Sequence, residues 1–325
     1  MKSMRIAAVF VALLIHAPLT LAQAQNWPTK PLRLLVPLAA GSTADIVSRV
    51  LALELGKVLG QTIVVENKSG AGGTIATAET ARSAADGYTL AFASQGTLIF
   101  NQGLYAKPGY DSLKDFTPLA FIGSVSNVMI VHPDHAAQRP ADIIASARAK
   151  PGEVSFSSGG SGTSHHLSGV LFGNMTNTSL LHVPYKGAPQ GILAVMSKEV
   201  SVGFFNTPTV IAQIKDGRLK PLGVTSLKRS SLLPHVATLD EQGVRGYEVN
   251  AWFGVIAPAG LPLSLVTRLN GEINKILALP EVREKLGAQG FELAPAMEPA
   301  AFSQLIADDY AKWLPIVKAS GAKAD

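Results

Sequence analysis

Two segments place hydroxyls and free backbone N–H groups where a chain turns from a strand into a helix. The first is Arg33-Leu34-Leu35-Val36-Pro37-Leu38-Ala39-Ala40-Gly41-Ser42-Thr43-Ala44-Asp45. The second is Val154-Ser155-Phe156-Ser157-Ser158-Gly159-Gly160-Ser161-Gly162-Thr163-Ser164-His165-His166. The first N–H groups of a helix lack intrahelical partners, and the helix dipole puts partial positive charge there, so such a turn favours an anion. Two of them can close on one carboxylate from opposite sides. In the first turn Ser42, Thr43 and the N–H groups near Ala44, with Leu38 and Gly41 shaping the loop, are the candidate ligand contacts; Asp45 is read as structural, because it would repel an anion. In the second, Thr163 is placed to cap the helix and His166 to point back to its N-terminus, with Ser161 beside them and His165 facing solvent. A neutral imidazole can donate to a carboxylate.

Other chemistry is poorly supported. Gly159-Gly160-Ser161-Gly162-Thr163 lacks the spacing of a nucleophile elbow. A secreted hydrolase using His166 with Ser161 or Thr163 is the competing reading, but no Asp or Glu lies near in sequence to orient the imidazole. Gly70-Ala71-Gly72-Gly73 lacks the Lys-Ser/Thr of a phosphate loop. In His132-Pro133-Asp134-His135 the proline breaks the helix that would pair the two imidazoles. The chain has no cysteine, which removes disulfides, thiol catalysis and thiolate metal sites. No cofactor or metal is expected.

The elements that must position these turns alternate between strand and helix. Leu32–Val36, Thr62–Glu66 and Thr89–Ala93 read as strands, with helices over Ala44–Leu59 and Thr74–Ser83, a βαβαβ order that implies a largely parallel sheet. Strand three delivers Ser94 and Gln95 at its carboxyl end, where ligands of such sheets sit. A second series starts near Asn127 with strand Val128–Val131. It continues through helix Ala141–Ala149, strand Val154–Ser157, helix Ser164–Gly173, strand Leu180–Val183, helix Pro189–Met196 and strand Val200–Phe205. Strands over Leu219–Thr225 and Tyr247–Ala257 follow, and then three helices that begin at or near prolines. The expected architecture is two lobes, residues 25–125 with 250–325 and residues 126–249, joined by two crossings.

Lys2 and Arg5, the apolar run Ile6–Ile15 and Ala22-Gln23-Ala24 read as a secretory signal cleaved after Ala24. The apolar run is too short to remain as a membrane span. The formal charge of +5 is mild and scattered, and two of the basic residues fall in that leader. Lys228-Arg229 is too small a cluster for nucleic acid.

Six ordered motifs then carry a resemblance: Val36-Pro37 with Gly41-Ser42-Thr43-Ala44-Asp45-Ile46; Val65-Glu66-Asn67-Lys68 with Gly70-Ala71-Gly72-Gly73; Asp86-Gly87-Tyr88-Thr89-Leu90; Ser161-Gly162-Thr163 with His166-Leu167-Ser168-Gly169; His182-Val183-Pro184-Tyr185-Lys186-Gly187; and Trp252-Phe253-Gly254 with Ala257-Pro258-Ala259-Gly260. Together they resemble the Bug-type periplasmic solute receptors of tripartite tricarboxylate transporters, from about Trp27 to the C-terminus. The resemblance implies an α/β type II periplasmic-binding-protein fold with an interlobe cleft, a small carboxylate ligand, no catalysis, a monomer in the periplasm and transport partners in the membrane; a sensor subunit would share the ligand and differ in partner. Relatives usually carry Gly at the position of Ser42, Thr at that of Ala44 and Phe-Asp at Phe205-Asn206. With Asn206 in place of a carboxylate, the ligand expected is a dicarboxylate or an aromatic acid such as terephthalate, with Phe205 and Trp252 as an apolar wall and Lys186 left in solvent.

Overall fold

The computed structural model describes residues 27–324. The expected signal and cleavage site lie outside the described residues. Strand β1 (Leu32–Val36) is buried on both faces, as a parallel strand between helices must be, and leads into helix α1 (Thr43–Leu59), which stops at the left-handed Gly60. Strand β2 (Ile63–Asn67), helix α2 (Thr74–Ala81) and strand β3 (Thr89–Ser94) complete the βαβαβ unit; β1 pairs with β2 and β3, both parallel. A π-turn over Gly96–Phe100 and the short helix α3 (Asn101–Leu104) follow.

Strand β4 (Phe116–Val131) is 16 residues long, so it begins well before the Val128 expected from sequence. Pro118, bulges at Pro118/Ala120 and Phe121/Gly123, and Gly123 in the positive-φ region break its periodicity. Through Ser126 it pairs antiparallel with β9; from Asn127 it pairs with β7 and β8. Between these pairings lie α4 (Pro140–Ala149), β5 (Ser155–Ser158), α5 (Ser164–Thr176), β6 (Leu181–Pro184), α6 (Ala188–Met196), β7 (Val202–Asn206), α7 (Thr207–Lys215) and β8 (Lys220–Val224). Helix α7 is unanticipated, although Pro208 in its first turn is a helix-start signal.

The chain leaves the second half through Val249, whose N–H donates to Thr225, and enters β9 (Asn250–Pro258). Helices α8 (Leu263–Ala278) and α9 (Pro280–Gly287), the two-residue β10 (Glu292–Leu293) and helix α10 (Pro299–Ala319) close the chain. One half of the sheet therefore runs β2-β1-β3-β9-β4, with β10 on β4, and the other runs β6-β5-β7-β4-β8. The outer strands are parallel, as expected, while the crossing strands β4 and β9 run antiparallel to their neighbours. This is the two-lobed α/β binding-protein fold.

Helix α10 belongs to the first half, held by Phe302. Its ring is fully buried, sits beneath Gly254 where a Cβ would strike it, and packs 5.7 Å from both Phe121 and Trp252. Phe302→Ala is expected to destabilise the protein by about 3–5 kcal/mol. Urea unfolding checks this as a lowered midpoint at unchanged slope.

Candidate functional site

In the first turn the caps are reciprocal. Ser42 Oγ accepts the Asp45 N–H at 3.3 Å, and Asp45 Oδ2 accepts the Gly41 N–H at 2.9 Å. Burial opposes ionisation of Asp45, but Arg49, 2.9 Å away, and the Gly41 N–H outweigh it and hold the carboxyl below its usual range. Ser42 thus uses one acceptor site inside the turn, and Ala44 faces the core. The N–H groups of Thr43 and Ala44 have no acceptor among the described residues.

The second turn is built alike. Thr163 Oγ1 accepts the His166 N–H and donates to the Gly160 carbonyl at 2.7 Å, which leaves the N–H groups of Ser164 and His165 at the helix start. The two histidines depart from the roles expected of them: His165 faces the cleft rather than solvent, and His166 is buried away from it. His166 turns into the lobe, accepts the Gly162 N–H on Nδ1 and stacks on His182 at 4.0 Å. His165 is 5 % exposed, lines the cleft and donates from Nε2 to Asn206 Oδ1 at 3.1 Å, since its Nδ1 accepts the Gly159 N–H. None of the described hydrogen bonds joins the Ser161 or Thr163 hydroxyl to the His166 ring, as the hydrolase reading would need.

Asn206, ending β7 as the cap position of α7, is the hub. Its Oδ1 accepts from Thr43 Oγ1 across the cleft at 3.2 Å and from His165; its Nδ2 donates to Asn127 Oδ1 and, at 3.5 Å, to Ser164 Oγ. The starts of α1, α5 and α7 therefore meet at one buried amide. Phe205 points the other way into the second-lobe core and is no wall of the cleft. Gln95 and Trp252 also turn away from it: Gln95 Nε2 and Trp252 Nε1 both donate to Asp309 Oδ2 on α10. Lys186 is exposed and away from the cleft lining.

The space between the lobes is about 20 Å³, room for a single water, lined by Leu38, Ser94, Thr163, Ser164, His165 and Asn206 together with Gly72, Gly96, Gly162, Ala251 and Phe253. No lining residue is charged. Ser94 Oγ accepts the Thr97 N–H at 3.3 Å and donates, at a long 3.5 Å, to Thr97 Oγ1. Of the lining residues the sequence reading lacked, the glycines carried a signal in their clustered turns, and Phe253 lies one residue beyond Trp252. Glycines let the lobes meet: a Cβ on Gly96 would lie 2.6 Å from the Gly162 carbonyl oxygen, and one on Gly187 2.6 Å from Ala39 Cβ. A larger depression of about 790 Å³ lies along α1 and β2, lined by Arg49, Leu53 and Lys57; it is shallow and away from both turns, so the site is placed at the small cavity.

Burial pushes the imidazoles of His165, His166 and His182 down to about 4, 3 and 4. With folded values below the unfolded 6.5, the native state binds fewer protons, so stability falls as pH drops from 6.5 toward 4. His165 and His166 are each expected to contribute a slope approaching ~1.4 kcal/mol per pH unit between pH 6 and 4.5. Urea midpoints at pH 7, 6 and 5 in each His→Gln variant check this.

Among the described residues no helix is long and apolar enough to cross a membrane, and no group of three His, Asp or Glu could hold a metal. Residues 47–322 match the tripartite tricarboxylate transporter family receptor. The chain is 34% identical over 324 residues to Protein BugT of Bordetella pertussis, covering 99% of this chain and 98% of that protein. Among solved structures, R. palustris Rpa4515 with adipate aligns at a TM-score of 0.88 and 34% identity, over 92% of this chain and 100% of that one. MatC (Rpa3494) from Rhodopseudomonas palustris with bound malate aligns at 0.85 and 26% identity, over 90% and 100%.

Proposed function

Because the chain belongs to the tripartite tricarboxylate transporter receptor family, we propose that it captures one small dicarboxylate between its lobes and presents it to membrane subunits of a transporter. The observation that carries this is the convergence of the starts of α1 and α5 on Asn206 at a cavity lined by hydroxyls, amide and imidazole without a charged side chain. Charge-assisted bonds to backbone N–H groups are roughly twice as strong as neutral ones, and a dry cleft strengthens them further. The N–H groups of Thr43, Ala44, Ser164 and His165 and the hydroxyls of Ser94 and Ser164 are the proposed donors. Leu38 and Phe253 offer apolar contact to the chain or ring between two carboxylates, which favours a dicarboxylic or aromatic acid such as terephthalate.

The lobes are taken as residues 25–125 with 250–325 and residues 126–249, hinged where β4 and β9 cross. Contacts made to the ligand from both lobes favour the closed form, and that form is what the membrane partner would recognise. Export to the periplasm with cleavage after Ala24, and action as a monomer without catalysis, complete the proposal.

The test is a thermal-shift series of refolded, ligand-stripped protein with adipate, malate, citrate and terephthalate. Ligand at a hundred times its dissociation constant stabilises the native state by about 2.7 kcal/mol. A shift with one acid that is lost in a variant with Ser94→Ala and Ser164→Ala supports the reading. Flat melting curves throughout overturn it.

A further inference from the structure

The hydrogen bonds around Asn206 have a direction that reaches back to groups outside the cavity. Gly159 N–H donates to His165 Nδ1 at 3.3 Å and so places the proton on Nε2, which donates to Asn206 Oδ1. Thr43 donates to the same oxygen. On the far side Asn127, 0 % exposed and away from the cavity lining, is itself held: its Nδ2 donates to Ser168 Oγ at 2.8 Å and its N–H to Thr225 Oγ1 at 2.8 Å. Asn127 therefore presents only its Oδ1 to Asn206, which must turn Nδ2 toward it. That same Nδ2 reaches Ser164 Oγ at 3.5 Å, so the Ser164 hydroxyl, which lines the cavity, accepts from Asn206 and keeps its own proton for another acceptor.

We propose that Asn127 and His165 are positioning residues that fix the Asn206 amide, and that this fixed orientation makes the cavity select an ionised carboxylate over the isosteric carboxamide without using a positive charge. The proposal rests on the carboxylate-receptor reading above and adds how that site discriminates. A carboxamide brings N–H groups that need acceptors, and the fixed network offers it the Ser164 hydroxyl with one acceptor site already taken by Asn206 and its proton still to be donated. A site with unmatched polar groups rejects the wrong partner strongly. Burial keeps His165 neutral at pH 7, so its tautomer rather than its charge carries the effect.

The experiment is calorimetric titration with adipate and with its diamide, adipamide, on wild type, His165→Leu, His165→Gln and Asn127→Ser. In wild type adipate is expected to bind at least a hundredfold more tightly than adipamide. His165→Leu removes one of the two donors to Asn206 Oδ1, and Asn127→Ser removes the acceptor of Nδ2; either is expected to narrow the ratio at least tenfold. His165→Gln keeps an N–H donor and is expected to recover most of the ratio. A variant that weakens both compounds equally, with the ratio unchanged, overturns the proposal and leaves the receptor reading standing. So does a wild type that binds both compounds alike. A wild type that binds neither overturns this proposal, and one that also gives no shift with malate, citrate or terephthalate overturns the carboxylate reading with it. Should His165→Leu fail to fold, Asn127→Ser gives the same readout from outside the cavity.

Discussion

Gly96→Ala is expected to weaken dicarboxylate binding ten- to a hundredfold while leaving the melting temperature of the free protein almost unchanged. Gly96 lies beyond β3 in the first lobe, and the atom its new methyl would meet belongs to the other lobe: the Gly162 carbonyl oxygen, 2.6 Å from the built Cβ. Within its own lobe the nearest neighbour is Ser94 Oγ at an ordinary 3.5 Å. The methyl is thus accommodated when the lobes part and resisted when they meet. Overpacking of this kind costs ~1–3 kcal/mol, and each ~1.4 kcal/mol is tenfold in affinity. Gly→Ala at a backbone that Ala can adopt also removes freedom from the unfolded chain, which offsets local loss in the free protein. Titration with adipate measures the first effect. Small-angle scattering measures the second, as a smaller contraction on ligand addition than in wild type. Undiminished affinity with full contraction would mean that the Gly96–Gly162 approach plays no part in closure.

The contrast with Gly162→Ala separates geometry from conformation. Gly162 sits at φ +85°, where an L side chain is strained in any lobe arrangement, and its Cβ would collide with Asn101 Oδ1 of the first lobe. That variant should lose stability as well as affinity, whereas Gly96→Ala loses affinity alone.

Both strand-to-helix turns and their caps were legible in the sequence because their chemistry is local. Ser42 caps Asp45 and Thr163 caps His166 while also bonding Gly160, and those spacings of three residues are local to each turn. What was illegible depends on how elements meet. Adjacent residues on a helix differ in direction by about 100°, so only the seating of α5 against β5 and β7 decides that His165 rather than His166 faces Asn206. Gln95 turns toward Asp309, 214 residues further on, and no local pattern foretells that. Phe205 was mistaken for a wall because β7 is buried on both faces, so hydrophobicity cannot say which side is cleft. The long β4 was shortened for a related reason: its first half pairs with β9, more than a hundred residues away, and the bulges that let it serve both lobes erase the alternation that marks a strand. Asn127, at the point where β4 changes partners, carries no motif at all, yet it orients the residue on which the site converges.

Asn206→Asp is expected to lower carboxylate affinity at pH 7.5 by at least a hundredfold. The new oxygen replaces an N–H that donates to Asn127 Oδ1 and Ser164 Oγ. Oxygen would then face oxygen at Asn127, and a buried negative charge would face the anion to be bound. Leaving a buried charge uncompensated costs ~3–5 kcal/mol. The Thr43 and His165 bonds to the other oxygen would survive and partly offset this. Burial and the bound anion both raise the pKa of the new carboxyl above its unfolded value. Protonation therefore restores a neutral donor, and the lost affinity should return as pH falls through that raised pKa. Wild type should show no such recovery, since an amide does not titrate and His165 stays neutral down to about 4. An amine-bearing solute such as aspartate should gain in the variant what adipate loses, because the new carboxylate offers its ammonium a partner. Titration of both ligands at pH 7.5 and 5.5 decides the matter. Equal adipate affinity in the two proteins at pH 7.5 would remove Asn206 from the ligand's surroundings and undo the placement of the site.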